Sequence, residues 1–283
     1  MTRLSLPDDR PALVIDLSVI HANWQAANAA FTGARVGAVV KQDAYGLGIA
    51  QIVPLLAALG CRDFWVADLS EAHAVRCATP EGRIFVLHGL CGASLDELRR
   101  LGAVPVLIDR AEVEALAALP GEDRPTVALH LDTGLNRLGL GADDVRRLSR
   151  APDHLNRLKV AAYVTHLAHF SNPFARENGW QWRRFMRWTR ALPPAPLSFC
   201  ASAGVFGTPE RHGQLARVGS ALYGVETTPA RPQPIVPAAT LSAPILRVHT
   251  VKGGSNVGYS TAYRTPGTRR LAQIGIGYGQ GVP

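Results

Sequence analysis

Short apolar, β-branched runs recur along the chain, with amphipathic spacers between them. The runs are Ala12–Ile15, Val36–Val40, Phe64–Ala67, Arg83–Leu87, Val104–Ile108, Thr126–Leu131, Val160–Thr165 and Leu197–Cys200. Between them Ile49–Leu59, Leu95–Leu101, Ala111–Leu119 and Val145–Leu148 carry the apolar period of a helix. Strand, helix, strand in repetition means parallel strands joined by right-handed crossovers. Eight such runs favour an α/β fold closed as a (β/α)8 TIM-type barrel. A doubly wound open sheet is the alternative; it would want fewer strands and one Gly-rich first turn.

The alternation stops near Val225, and the Pro-rich stretch Thr228–Pro237 reads as an extended linker. Beyond it Leu241–Val251, Val257–Tyr263 and Leu271–Ile276 read as strands, turned at Lys252–Ser255 and Thr265–Gly267. The expected division is a barrel over residues 11–228, then a linker and partial all-β C-terminal domain over 229–283. So few strands bury little core by themselves.

Composition changes little in this picture. With 47% apolar and 18% charged residues, the 283-residue chain is globular rather than disordered. No apolar run approaches the ~18 residues of a membrane span; Ile52–Cys61, the best candidate, is broken by Pro54 and Gly60. The start, MTRLSLPDDRPALVID, lacks a signal-peptide core, so the expectation is cytoplasmic. Cys61, Cys77, Cys91 and Cys200 form no CxxC pair and read as reduced core residues. The net charge of +8 raises a polyanion partner, and Trp180–Arg190 interleaves aromatic and basic residues as single-strand nucleic-acid binders do. At helical spacing, however, Trp182, Phe185, Met186 and Thr189 share one face while Arg183, Arg187 and Arg190 line another. A solvated helix on the outside of the fold is favoured, with neither nucleic acid nor membrane as partner.

Barrel enzymes place their chemistry where strands end. Lys41 follows an apolar run directly, which makes it a candidate amine nucleophile or an ordinary strand-end lysine. Leu129–Gly139 ends a second strand and Val164–His169 a third. His166 and His169 have no third ligand at suitable spacing, so no metal is expected. Ser202, Gly219 and Ser220 fall in the last two loops, where barrels commonly cradle a phosphate. A lysine with a phosphate cradle is the minimum equipment for pyridoxal phosphate.

Ala38-Val-Val-Lys-Gln-Asp-Ala-Tyr-Gly-Leu-Gly48 resembles the cofactor-lysine signature of alanine racemases, and Asp132-Thr-Gly-Leu-Asn-Arg-Leu-Gly139 resembles their arginine loop. Cys200–Gly204, Arg217–Gly224, Val257–Tyr263 and Ile276–Gly281 follow in the family's order. The resemblance implies a fold-type III isomerase that interconverts L- and D-alanine for peptidoglycan, with pyridoxal 5'-phosphate as cofactor. It also implies a homodimer whose active site is shared between subunits. Lys41 would hold the cofactor and act as one base, and Tyr259 from the partner subunit would be the other. Tyr45, Ser202, Gly219 and Ser220 would hold the phosphate. Arg217 would face the ring nitrogen, protonated with a pKa above roughly 12. His166 would link Tyr259 to Arg217 by hydrogen bonds, and Arg137 would meet the substrate carboxylate.

Two departures stand out. Where many members carry a carbamylated lysine that orients the arginine, this chain has His130, which supplies no negative charge. The chain also ends soon after the Gly-Tyr-Gly segment, at Pro283. On the resemblance, that ending implies a truncated racemase, one that binds the cofactor but racemises poorly. Two other classes share the barrel. A non-catalytic pyridoxal-phosphate carrier would need neither the arginine loop nor Tyr259, and a decarboxylase would want a carboxylate where Arg217 stands.

Overall fold

The computed structural model describes residues 10–228 and 232–282. Outside them lie Met1–Asp9, read above for a leader, Pro229–Arg231 of the Pro-rich stretch, and Pro283. The chain divides into two compact units, 16–238 and a smaller one pairing 10–15 with 239–282.

Strand β1 (Ala12–Ile15) belongs to the smaller unit. In the larger unit come β2 (Arg35–Val39), β3 (Asp63–Val66), β4 (Arg83–Val86), β5 (Ala103–Leu107), β6 (Thr126–His130), β7 (Lys159–Val164), β8 (Leu197–Ser198) and β9 (Leu215–Val218). They form one parallel sheet in the order β8-β7-β6-β5-β4-β3-β2-β9. Its edges meet where Ala201 bridges Arg217, whose N–H donates to the Cys200 carbonyl at 3.0 Å. The barrel closes there, with helices between the strands as the pattern predicts.

One strand corrects the expectation. Ala12–Ile15 is not a barrel strand, and Leu215–Val218 takes the eighth place. Three of the four β1 positions are exposed, whereas β9 is buried throughout. An apolar run cannot say which sheet it joins, and Arg217 in mid-strand disguises β9. The unit boundary also differs from 228/229. The segment 232–238 is docked on the barrel: buried Asn23 donates to the Leu222 and Val236 carbonyls at 3.0 and 2.8 Å and accepts from the Val236 N–H at 2.9 Å.

Inside the barrel Trp65 and Phe85 stack with ring centroids 4.0 Å apart. Ala128, Ala161 and Ala162 belong to the same core cluster, so large side chains face small ones and the lumen fills without a pore. Buried Asp63 pairs with Arg83 at 2.6 Å and Arg35 at 3.2 Å. On the outside, Arg176–Arg190 is a helix whose Phe185, Trp188 and Thr189 are buried while Arg183, Arg187 and Arg190 face solvent. Cys61 and Cys200 are buried, but Cys77 and Cys91 are exposed, one in the last turn of an outer helix and one in the turn after β4. Those two are therefore not core residues. Among the described residues no helix is long and apolar enough to cross a membrane.

The smaller unit adds β10 (Ala239–Ser242), β11 (Ile245–Val251), β12 (Asn256–Val257), β13 (Tyr263–Arg264) and β14 (Arg269–Ile274). β1 pairs with β10, β11 with β14 and β12 with β13, all antiparallel. Two expected strands are split. Pro244, which lacks an N–H, separates β10 from β11. Gly258, at φ +81°, turns the chain into a short 3-10 segment, Tyr259–Thr261.

Candidate active site

Lys41 follows β2 after one residue, Val40, and opens a helical turn, Lys41–Gly46, that is left-handed from Gln42 to Tyr45. Gln42, Asp43, Ala44 and Tyr45 have φ of 55°, 51°, 55° and 61°. For residues with a Cβ this costs roughly 1–2 kcal/mol each, so neighbouring bonds must hold the turn. The Ala44 N–H donates to the Val40 carbonyl at 2.8 Å and the Gly48 N–H to the Asp43 carbonyl at 2.9 Å. The Ile49 N–H donates to Asp43 Oδ1 at 2.8 Å, and the Gln42 N–H donates to the Glu71 carboxylate.

Tyr45 packs on Tyr223 with ring centroids 4.7 Å apart. Its hydroxyl lies so near Gly219 that a Cβ there would stand 2.4 Å from it. Ser202 Oγ accepts from the N–H groups of Gly219 and Ala221 at 3.1 and 3.2 Å. Part of the expected amide cradle is thus engaged internally, which leaves the Ser202 hydroxyl proton for another acceptor.

After β6, Asp132 Oδ1 accepts from the N–H groups of Gly134, Leu135 and Asn136, each at 3.0 Å. This knot shapes the loop that presents Arg137. Thr133 Oγ1 and Thr165 Oγ1 meet at 2.8 Å, joining the β6 and β7 loops. Buried Gln181 completes the join from the outer helix: it donates to Thr133 Oγ1 and the His166 carbonyl and accepts from the Ala168 N–H.

Arg217 is 5% exposed. It donates to the Ser198 carbonyl at 2.7 Å, to Ser198 Oγ at 2.6 Å and to the Thr165 carbonyl, and it lies over the Trp65 ring at 5.6 Å. Burial pulls its pKa down to about 10, lower than expected yet still protonated at neutral pH. The expected His166–Arg217 hydrogen bond is not made, because the fork is turned to Ser198 and Thr165 instead. Burial, followed by the charges of Arg217 and Arg137, pushes the pKa of His166 down to about 3. Burial, Arg217 and Arg137 likewise lower His130 to about 4, with Asp132 opposing. Both imidazoles are neutral near pH 7, so His130 brings no charge to Arg137.

These elements enclose a cavity of about 220 Å³ at the C-terminal ends of the strands. Lys41, Tyr45, Arg137, His166, Ser202, Arg217, Gly219 and Ser220 all line it, with His130, and among the described residues no Asp or Glu does. Tyr259 does not line it: this residue lies in the smaller unit and is 87% exposed.

A family model described as "Alanine racemase, N-terminal domain" matches residues 15–227, and one for the C-terminal domain matches 238–283. An alanine racemase of Acidiphilium cryptum is 41% identical over 276 residues, covering 97% of this chain and 77% of that protein. One from Methylobacterium nodulans is 39% identical, covering 96% and 74%. Among solved structures, the alanine racemase of Bartonella henselae with covalently bound pyridoxal phosphate superposes with a TM-score of 0.88 at 29% identity, covering 97% of this chain and 77% of that one. The chain belongs to the alanine racemase family.

For an alanine racemase read from sequence alone, the residues missed are those that hold others in place. Ser198 and Thr165 anchor Arg217, largely through backbone carbonyls, and a carbonyl leaves no mark in a sequence. Gln181 lies on the buried side of a helix read for its arginines. Only Glu71 had a visible signal, as the third residue after the capping Asp68.

Proposed function

We propose that this chain interconverts L- and D-alanine with two bases and pyridoxal 5'-phosphate, supplying D-alanine for peptidoglycan in the cytoplasm. One observation carries this function: three cationic side chains, Lys41, Arg137 and Arg217, converge on one cavity with no carboxylate side chain among the described residues of its lining. Such a cavity suits a doubly anionic cofactor together with an amino-acid carboxylate. The Ser202 hydroxyl and the close approach at Gly219 fit a phosphate beside Tyr45 and Ser220. When bound, the cofactor supplies a carbonyl for an amine and a ring that accepts the electron pair released at the substrate Cα.

The chain's own groups do the rest. Lys41 holds the cofactor and exchanges a proton at Nζ on one face of the substrate Cα. A proton removed from one face must be replaced from the other, and the Tyr259 hydroxyl of a second copy serves there. The exposure of Tyr259 leaves it available for that role in a homodimer. Arg217 stays protonated at neutral pH and so gives the ring nitrogen a hydrogen bond rather than a proton. Arg137 takes the substrate carboxylate.

Chiral analysis of products from L-alanine with pyridoxal phosphate tests this function. D-Alanine is expected from the wild type and not from Lys41→Ala. Cofactor retained on Lys41 without any D-alanine would instead indicate a carrier or an inactive racemase.

A further inference from the structure

We propose that Glu71 is a positioning residue for Lys41, an inference that rests on Lys41 being the cofactor lysine. The Glu71 carboxylate sits between two loops. It accepts from the Ala67 N–H, just past β3, at 2.7 Å, and from the Gln42 N–H, the amide that follows Lys41. Gln42 is the first of the four consecutive left-handed residues. Clamping its N–H fixes the peptide plane leaving Lys41 and ties a conformation that residues with a Cβ avoid to the end of the next strand. The clamp is itself fixed, since Glu71 N–H donates to Asp68 Oδ1 at 3.1 Å at the start of the Leu69–Ala78 helix.

The fold contains a twin that separates this role from a structural one. Asp109 caps the Arg110–Ala118 helix in the same way, accepting from the Glu112 N–H at 2.9 Å. Glu112 accepts from the Ile108 N–H, just past β5, and from the Leu90 N–H in the preceding loop, both at 2.7 Å. The chemistry and the spacing are the same, but neither Leu90 nor Ile108 lines the cavity. Losing Glu112 removes a clamp from the scaffold, whereas losing Glu71 removes it from the lysine.

The test compares wild type, Glu71→Gln, Glu112→Gln and the double variant Glu71→Gln/Gln42→Gly. Three quantities are read: Gln42 amide hydrogen exchange without cofactor, the fraction of Lys41 labelled by pyridoxal phosphate and borohydride under limiting cofactor, and the thermal midpoint. Glu71→Gln should exchange the Gln42 amide and lose Lys41 labelling by about tenfold or more, the size expected for a hydrogen bond to a charged group. Glu112→Gln should lower the thermal midpoint comparably and leave labelling within about twofold of wild type. Glycine adopts positive φ without penalty, so Gln42→Gly should restore most of the labelling lost in Glu71→Gln. If Glu71→Gln does not fold, Glu71→Asp carries the same expectation, being one methylene too short to reach both amides. Equal labelling in Glu71→Gln and Glu112→Gln, or no rescue by Gln42→Gly, overturns the proposal. A wild type that takes no label on Lys41 overturns the proposed function, and this inference with it.

Discussion

Arg217 and the two neutral histidines show how burial sets charge in this site. The guanidinium is held by Ser198 and Thr165 and lies over Trp65, and no carboxylate side chain among the described residues lines the cavity with it. Ser198→Ala removes one of its acceptors and should cost about 1–3 kcal/mol, read as a lower urea midpoint with unchanged slope. The histidines carry the pH dependence. An imidazole in the unfolded chain takes up a proton near pH 6.5, but His130 and His166 do so only near about 4 and about 3 when folded. Below pH 6.5 the unfolded state therefore binds protons that the folded state refuses, and stability falls as pH falls. Above pH 6.5 the two states bind alike and this contribution is flat. For His130 alone the loss reaches roughly 3 kcal/mol by pH 4. In His130→Asn the unfolding free energy should fall less steeply between pH 6.5 and 4 than in wild type; an unchanged slope would contradict the assignment. At Gly219 a methyl group would meet the Tyr45 hydroxyl, so Gly219→Ala should weaken pyridoxal phosphate binding at least tenfold, about 1.4 kcal/mol, as read by equilibrium titration.

At the scale of elements, periodicity found what periodicity encodes. The spacers at 49–59 and 95–101 are helices close to their expected limits, and Lys41 was visible because it follows an apolar run directly. The left-handed turn was not visible, because Gln42, Asp43, Ala44 and Tyr45 include no glycine and the turn is held by a bond from the distant Glu71 as well as by Asp43 within it. Strand β9 was hidden by its arginine, and β1 was assigned to the barrel because sheet membership depends on partners rather than on the run itself. The Gln181 amide, 4% exposed, joins the arginine loop to the His166 loop. Replacing it by Leu leaves the Ala168 N–H and the His166 carbonyl unpaired. The expected cost is about 2–4 kcal/mol, with substrate KM raised more than kcat is lowered, because the cavity loops loosen while Lys41 stays in place.

Across the whole molecule, Lys41 and Tyr45, Arg137, His166, and Ser202 with Arg217, Gly219 and Ser220 come from distant stretches of the sequence and share one cavity because eight parallel strands end on the same side of a closed barrel. That convergence was legible from motif order, since each motif sits at a strand end. The proposed second base was legible only as a motif: Tyr259 is exposed in the smaller unit, and no pattern in a single chain reveals what meets it. The central claim is two-base racemisation, with Lys41 on one face and Tyr259 on the other. Its most direct test is the rate of D-alanine formation from L-alanine by Tyr259→Phe, with the visible absorption band of lysine-bound cofactor recorded on the same sample. The account predicts loss of D-alanine formation with the band intact. A Tyr259→Phe variant that racemises at the wild-type rate would contradict it.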